Sequence, residues 1–188
     1  HVRLFGAIAL DHAVGGLNPD ALDAALRIGT RVVWWPTFDT AWSREVFGRW
    51  HATAPGITIL NGAGALVPVC HDLLDLVAQH DATLCTGHLS PDETIALVRE
   101  SRRRGIRSIV SHATPFHIPL AVQQEAAALG AFIEQAGTNA FREHGEEAAA
   151  AMIADVRAVG AAHVILSTDL GQATNPPPPS GFGSWIER

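Results

Sequence analysis

The chain has 188 residues, 47% of them hydrophobic, and a formal net charge of -6. An acidic balance offers no basic face for nucleic acid, and no apolar run approaches the roughly 20 residues of a membrane span. The two cysteines, Cys70 and Cys85, have no paired spacing and read as free thiols of a reducing cytoplasm.

Taken in chain order, the first apolar run that reads as a strand is Leu4–Leu10. It leads into "ALDHAVGGLNP", a glycine-bearing loop with Asp11 and His12 at a strand end. Asn18 then caps a helix that opens with Pro19 and stops at Gly29. The second strand spans Arg31–Thr37, and Trp34, Trp35, Phe38 and Trp42 gather at its end, where they could wall an apolar pocket. An irregular excursion, "GITILNGAGALVP", reads as a short hairpin. Val69, Leu73, Leu76 and Val77 form the apolar stripe of the next helix.

The third strand, Ala82–His88, is followed by "SPDETIALVRE", with Ser90 as cap, Pro91 first and Glu93 closing a capping box. That helix ends in the basic run Arg102-Arg103-Arg104 before Gly105, where cations suit the helix dipole. Strands over Ile106–His112, Ala131–Ala136 and His163–Asp169 follow, separated by helices that end at Gly130 and Gly160. "NPPPPSG", Asn175 to Gly181, reads as a stiff loop.

Strands that are apolar nearly throughout, alternating with helices, predict an α/β fold with a parallel sheet covered on both faces. Six βα units in series suggest a (β/α)₈ TIM-barrel type or an open doubly wound sheet. A complete barrel wants roughly 250 residues, so about six of eight units are expected here, within a single domain. The chain opens at His1 inside a strand and stops at "GSWIER", as expected of a piece of a longer protein that lacks two upstream units.

The strand ends carry the chemistry. "TLCTGHLS", "SIVSHATP", "AFIEQAG" and "VILSTDLGQ" place His88, His112, Glu134 and Asp169 late in successive strands, about one βα unit apart. In parallel α/β folds these ends open on one face, where active sites form. Taken singly, each has a structural reading: a satisfied polar tip for either histidine, a turn cap for Asp169, a salt-bridge partner for Glu134. Their shared phase argues for a common divalent-metal or acid/base site. Gly87 beside His88 leaves room for backbone or ligand. His117, in "ATPFHIP", and His12 could reach the mouth, as could Trp35; Asn139 is a weaker candidate. His51, His71, His80 and His144 have no phase relation to the site and read as surface or structural groups.

"TGHLS", "SHA" and "STDLGQ" resemble the amidohydrolase superfamily of metal-dependent hydrolases, and most closely a branch that carries "GGLNP", "TGHLS" and "STDLGQ"-like segments. The likeness runs over essentially the whole chain. It implies a barrel whose fifth, sixth and eighth strands end in His88, His112 and Asp169. It implies a divalent metal held by His88, with His112 and Asp169 as ligands, one Zn²⁺ before Fe²⁺ or Mn²⁺. By the same resemblance Asp169 and His112 are the catalytic groups, and Asp169 moves the proton of an activated water. The substrate would be a small amide, ester or lactone. The superfamily's His-x-His pair of the first strand has no counterpart here. Its bridging Lys or Glu is absent from "RVVWWPT", which favours one metal. A decarboxylase or other lyase on the same barrel is the rival reading, and a non-catalytic truncated barrel the third. Unpaired strand edges of an incomplete barrel would favour a homo-oligomer.

Overall fold

A computed structural model describes residues 4–48, 54–142 and 144–187. Six strands form one sheet in the order of the chain: β1 (Gly6–Ala9), β2 (Thr30–Trp34), β3 (Thr83–Cys85), β4 (Ser108–Val110), β5 (Phe132–Ala136) and β6 (Val164–Ser167). Every neighbouring pair is parallel. Helices α1 (Pro19–Ile28), α2 (Ala41–Phe47), α3 (Pro68–Gln79), α4 (Pro91–Arg103), α5 (Leu120–Ala128), α6 (Gly145–Val159) and α7 (Pro178–Ile186) occupy the crossovers and the last segment. This is the α/β pattern of a partial TIM barrel. None of the described helices is long and apolar enough to cross a membrane.

Local signals place the helices. The Asn18 side chain accepts from the amides of Asp20 and Ala21, with Pro19 opening α1. At α4, Ser90 and Glu93 form a complete capping box. The excursion between α2 and α3 is a minimal hairpin, bridged once between Leu60 and Leu66 and turned by Asn61, whose Oδ1 accepts from Ala63 and Ala65. Two arginines of the basic run at the end of α4 form ion pairs: Arg103 and Arg104 both meet Glu100, and Arg104 also meets Asp75. His71 lies in the first turn of α3 and His80 just past its end. His51 lies outside the described residues.

Two expectations need correction. The expected loop Asn175–Gly181 ends in helix, because Pro178 and Pro179 occupy the first turn of α7, where a missing N–H costs nothing. Strands β3, β4 and β6 also stop two or three residues earlier than expected, before His88, His112 and Asp169. The reason lies in the backbone. Gly87, His112 and Asp169 have φ of 64°, 47° and 48°, and a left-handed residue cannot continue a ladder.

The core is laid between sheet and helices. Leu10, Leu22, Val33, Trp35, Leu73, Leu84 and Leu97 are fully buried in one cluster under α1, α3 and α4. A second cluster joins α4, α5, β4 and β5 through Val98, Val110, Ala126 and Ile133. Trp185 of α7 packs with Ala140, Ala149 and Met152. Glu93 is the buried polar tie: Oε1 accepts the Ile59 amide at 2.8 Å, while Oε2 accepts from Ser90. Glu93→Ala removes the box and orphans a buried N–H. The expected loss is roughly 2–4 kcal/mol in urea unfolding, with Glu93→Gln losing less; equal stability of all three proteins would contradict this role.

Candidate active site

The strand ends open on a cavity of about 450 Å³ whose walls include His88, His112 and Asp169. Each reaches it from a different turn. After β3 the chain passes under the β2 turn: Trp35 N donates to Cys85 O at 2.8 Å and His88 N to Pro36 O at 3.0 Å. Gly87 sits at this crossing. A Cβ there would fall on the carbonyl oxygens of Trp35 and Pro36, and φ is already left-handed. Thr40 Oγ1, which caps α2 at Ser43 N, also donates to His88 O at 2.6 Å. His88 is therefore held from β2, β3 and α2 at once.

The two imidazoles meet. His88 Nε2 lies 3.2 Å from His112 Nδ1. Phe116 stacks on the His88 ring at 3.8 Å between centroids, and Phe38 meets its other surroundings edge-on at 5.2 Å. Burial, with the neighbouring His112 second, pushes the His88 imidazole down to about 3; the Thr37 backbone opposes this in part. That support is short of a hydrogen bond, since His88 Nδ1 has no partner in bonding geometry. His88 is thus a neutral ring at physiological pH.

Glu134 lies behind His112. Its Oε2 accepts the His112 amide at 3.2 Å and stands 3.6 Å from Nε2. A carboxylate on that side favours the proton on Nε2 and leaves the Nδ1 lone pair toward His88. Burial raises the Asp169 carboxyl; His112 lowers it, Glu134 raises it and Arg142 lowers it, in decreasing order. Two ionisable residues in left-handed conformation, both at one cavity, is where backbone strain is usually tied to function.

The other expected site residues divide. Glu134 backs His112 and does not wall the cavity. Trp35 is fully buried in the core; Trp34, one residue earlier and on the opposite face of the strand, lines the cavity instead. His117 is exposed and off the walls, while its neighbour Phe116 is on them. His12 is also off the walls: its Nε2 bonds Pro55 O at 2.9 Å, and its amide donates to Asp39 at 2.8 Å. Asp11 ties the same loop to β2, accepting the Thr37 amide at 2.8 Å. Trp42 is an anchor, with Nε1 donating to Phe116 O at 3.0 Å. Arg142 and Phe47 line the cavity unannounced by any sequence motif, and Gln172, the last residue of "STDLGQ", lines it too although it was not singled out there. Among the described residues, no three His, Cys, Asp or Glu side chains converge closely enough to hold a metal ion. The expected triple of His88, His112 and Asp169 is therefore a pair plus a carboxylate across the same cavity.

A family model described as a family of unknown function, DUF6282, matches residues 1–134. The chain belongs to that family. For this DUF6282 chain, His88, His112 and Glu134 fall inside the matched segment, and Asp169 lies beyond it. No curated protein matches the chain. Its fold is similar to the crystal structure of an amidohydrolase from Pseudomonas aeruginosa, with a TM-score of 0.60 and 12% identity, over 83% of this chain and 47% of that one. The DUF6282 chain thus spans about half the length of that structure, and the likeness is one of fold.

The Gly87 crossing generates a prediction. Gly87→Ala forces a Cβ into two carbonyls at a left-handed residue, at a cost of roughly 3 kcal/mol or more. Thermal unfolding should show a loss of that size; an unchanged melting temperature would mean the strands do not cross this way.

Proposed function

We propose that this cavity is the active site of a metal-dependent hydrolase of the amidohydrolase superfamily, acting on a small carbonyl compound such as an amide, ester or lactone. The observation that carries the reading is the apposition of His88 Nε2 and His112 Nδ1 at 3.2 Å. Nitrogen ligands of a tetrahedral zinc ion, each at about 2.0–2.1 Å from it, lie roughly 3.3 Å apart. The pair fits two ligand positions; further donors would come from outside the described residues or from Asp169. The neutral state of His88 and the tautomer that Glu134 favours in His112 both suit ligation. The imidazole donors favour Zn²⁺, with Fe²⁺ or Mn²⁺ as alternatives. Such an ion would supply Lewis-acid polarisation of the carbonyl and a water of lowered pKa.

The remaining roles belong to the chain. Glu134 fixes the His112 ring. Asp169, whose carboxyl burial raises, takes a proton from the attacking water and returns it to the leaving group. Phe116 and Phe38 exclude bulk water from His88. Two buried free thiols are in keeping with a reducing, cytoplasmic location.

The test is hydrolysis of a panel of esters, lactones and amides before and after chelation. Turnover should disappear on chelation and return with Zn²⁺. Asp169→Asn, in which Asn tolerates the left-handed backbone, should fold normally and turn over about 100-fold more slowly or worse. Turnover of none of the panel, or turnover indifferent to chelation and to this substitution, would contradict the proposal.

A further inference from the structure

The cavity's walls say more about what enters it. Among the described residues, its large apolar side chains are all aromatic: Trp34, Phe38, Phe47 and Phe116. No Leu, Ile, Val or Met lines it, although these residues fill the core. The rings form a connected belt around the histidine pair. Phe47 meets Phe116 at 4.8 Å and 63°, Phe116 stacks on His88, and Trp34 lies 5.6 Å from His112. Phe38 and Phe47 keep 51% and 40% of their surface exposed, which is unusual for phenylalanines that could have turned inward. Both also line the cavity. Polar groups complete the lining, among them Asn139, Gln172 and Arg142, the last being the single Lys or Arg on the described walls.

We propose that the cavity seats a small planar aromatic acid or its ester, lactone or amide, with the ring against Phe47 and Phe116 and the carboxyl carbon at the histidine pair. The ring faces and edges of the belt suit an offset or edge-on aromatic partner, which aliphatic groups cannot match. A void of about 450 Å³ exceeds the roughly 150 Å³ that accommodates benzene and holds one or two rings with a substituent. Arg142, which with His112 acts on Asp169, gives the carboxylate of the acid a cationic partner on the cavity wall. The inference rests on the hydrolase reading only for the reacting carbonyl; the seat for the ring stands on the walls themselves.

Binding without turnover tests it. Calorimetric titrations of the full chain would use benzoate, 2-naphthoate, cyclohexanecarboxylate and benzamide, each with chelator and with Zn²⁺. Benzoate and 2-naphthoate should bind at least about threefold more tightly than cyclohexanecarboxylate, and Phe116→Leu should weaken them by about threefold to tenfold. Phe47→Leu, at a half-exposed position where folding is safe, should act in the same direction. Arg142→Gln should weaken all three acids and leave benzamide unchanged. No binding in either condition, or equal binding of the aromatic and saturated acids with no effect of either leucine variant, would overturn the proposal. Aryl binding with no hydrolysis of any aryl ester would sink the hydrolase reading and leave the seat. Hydrolysis of aliphatic esters without aryl preference would do the reverse.

Discussion

A parallel strand that ends in a left-handed residue can no longer feed its ladder, and the chain must turn away from the sheet there. Three of the six strands of this sheet end so, at or near Gly87, His112 and Asp169. Because all six strands run the same way, the three turns fall on one face. The cavity is what they enclose. The constraint is tightest at Gly87, where the chain passes directly beneath the carbonyls of Trp35 and Pro36 and only a residue without Cβ fits. That crossing sets the height of His88. Thr40 then holds its carbonyl from α2, and Glu134 holds the amide of His112 from β5. The site is assembled by the backbone crossing at Gly87 together with the side chains of Thr40 and Glu134, which hold the main chain of the two histidines.

The electrostatics follow from the same enclosure. Burial disfavours charge on His88, and the second imidazole at 3.2 Å disfavours it further. A neutral ring with an available nitrogen is what results. Burial also raises Asp169 against the opposing pull of His112, so the cavity holds a carboxyl whose proton affinity is above the ordinary. A ring that stays neutral and a carboxyl that holds its proton more readily differ in role, and environment alone separates them.

Much of this was legible in the sequence. Asn18, Pro19, Ser90 and Glu93 marked helix starts by rules of short range, and short-range rules read well. The alternation of apolar strands with helices gave the parallel sheet, and the recurrence of His88, His112, Glu134 and Asp169, about one unit apart, gave the face. The reading failed where distance along the chain is large or phase is subtle. Trp35 and Trp34 differ by one position, yet the pleat sends them to opposite faces, and two adjacent tryptophans carry no sign of which one faces in. His117 and Phe116 repeat the lesson in a turn, where no period applies. Arg142 reaches the cavity from just past the short 3₁₀ helix Gly137–Phe141 that follows β5, and nothing in its neighbours announces it. The left-handed backbone at His112 and Asp169 had only a weak sequence signature, since His and Asp favour that region over other non-glycine residues but adopt it in a small minority of places.

The central claim is that His88 and His112 form one ligand pair. It is tested most directly by titrating Zn²⁺ into protein carrying ¹⁵N-labelled histidine and following the ring nitrogens by NMR. The account predicts that the His88 and His112 resonances move together and saturate near one equivalent, ahead of the remaining histidines, and that Gly87→Ala uncouples them. Rings of His88 and His112 that stay unmoved while zinc binds elsewhere, or that respond at different zinc concentrations, would contradict it.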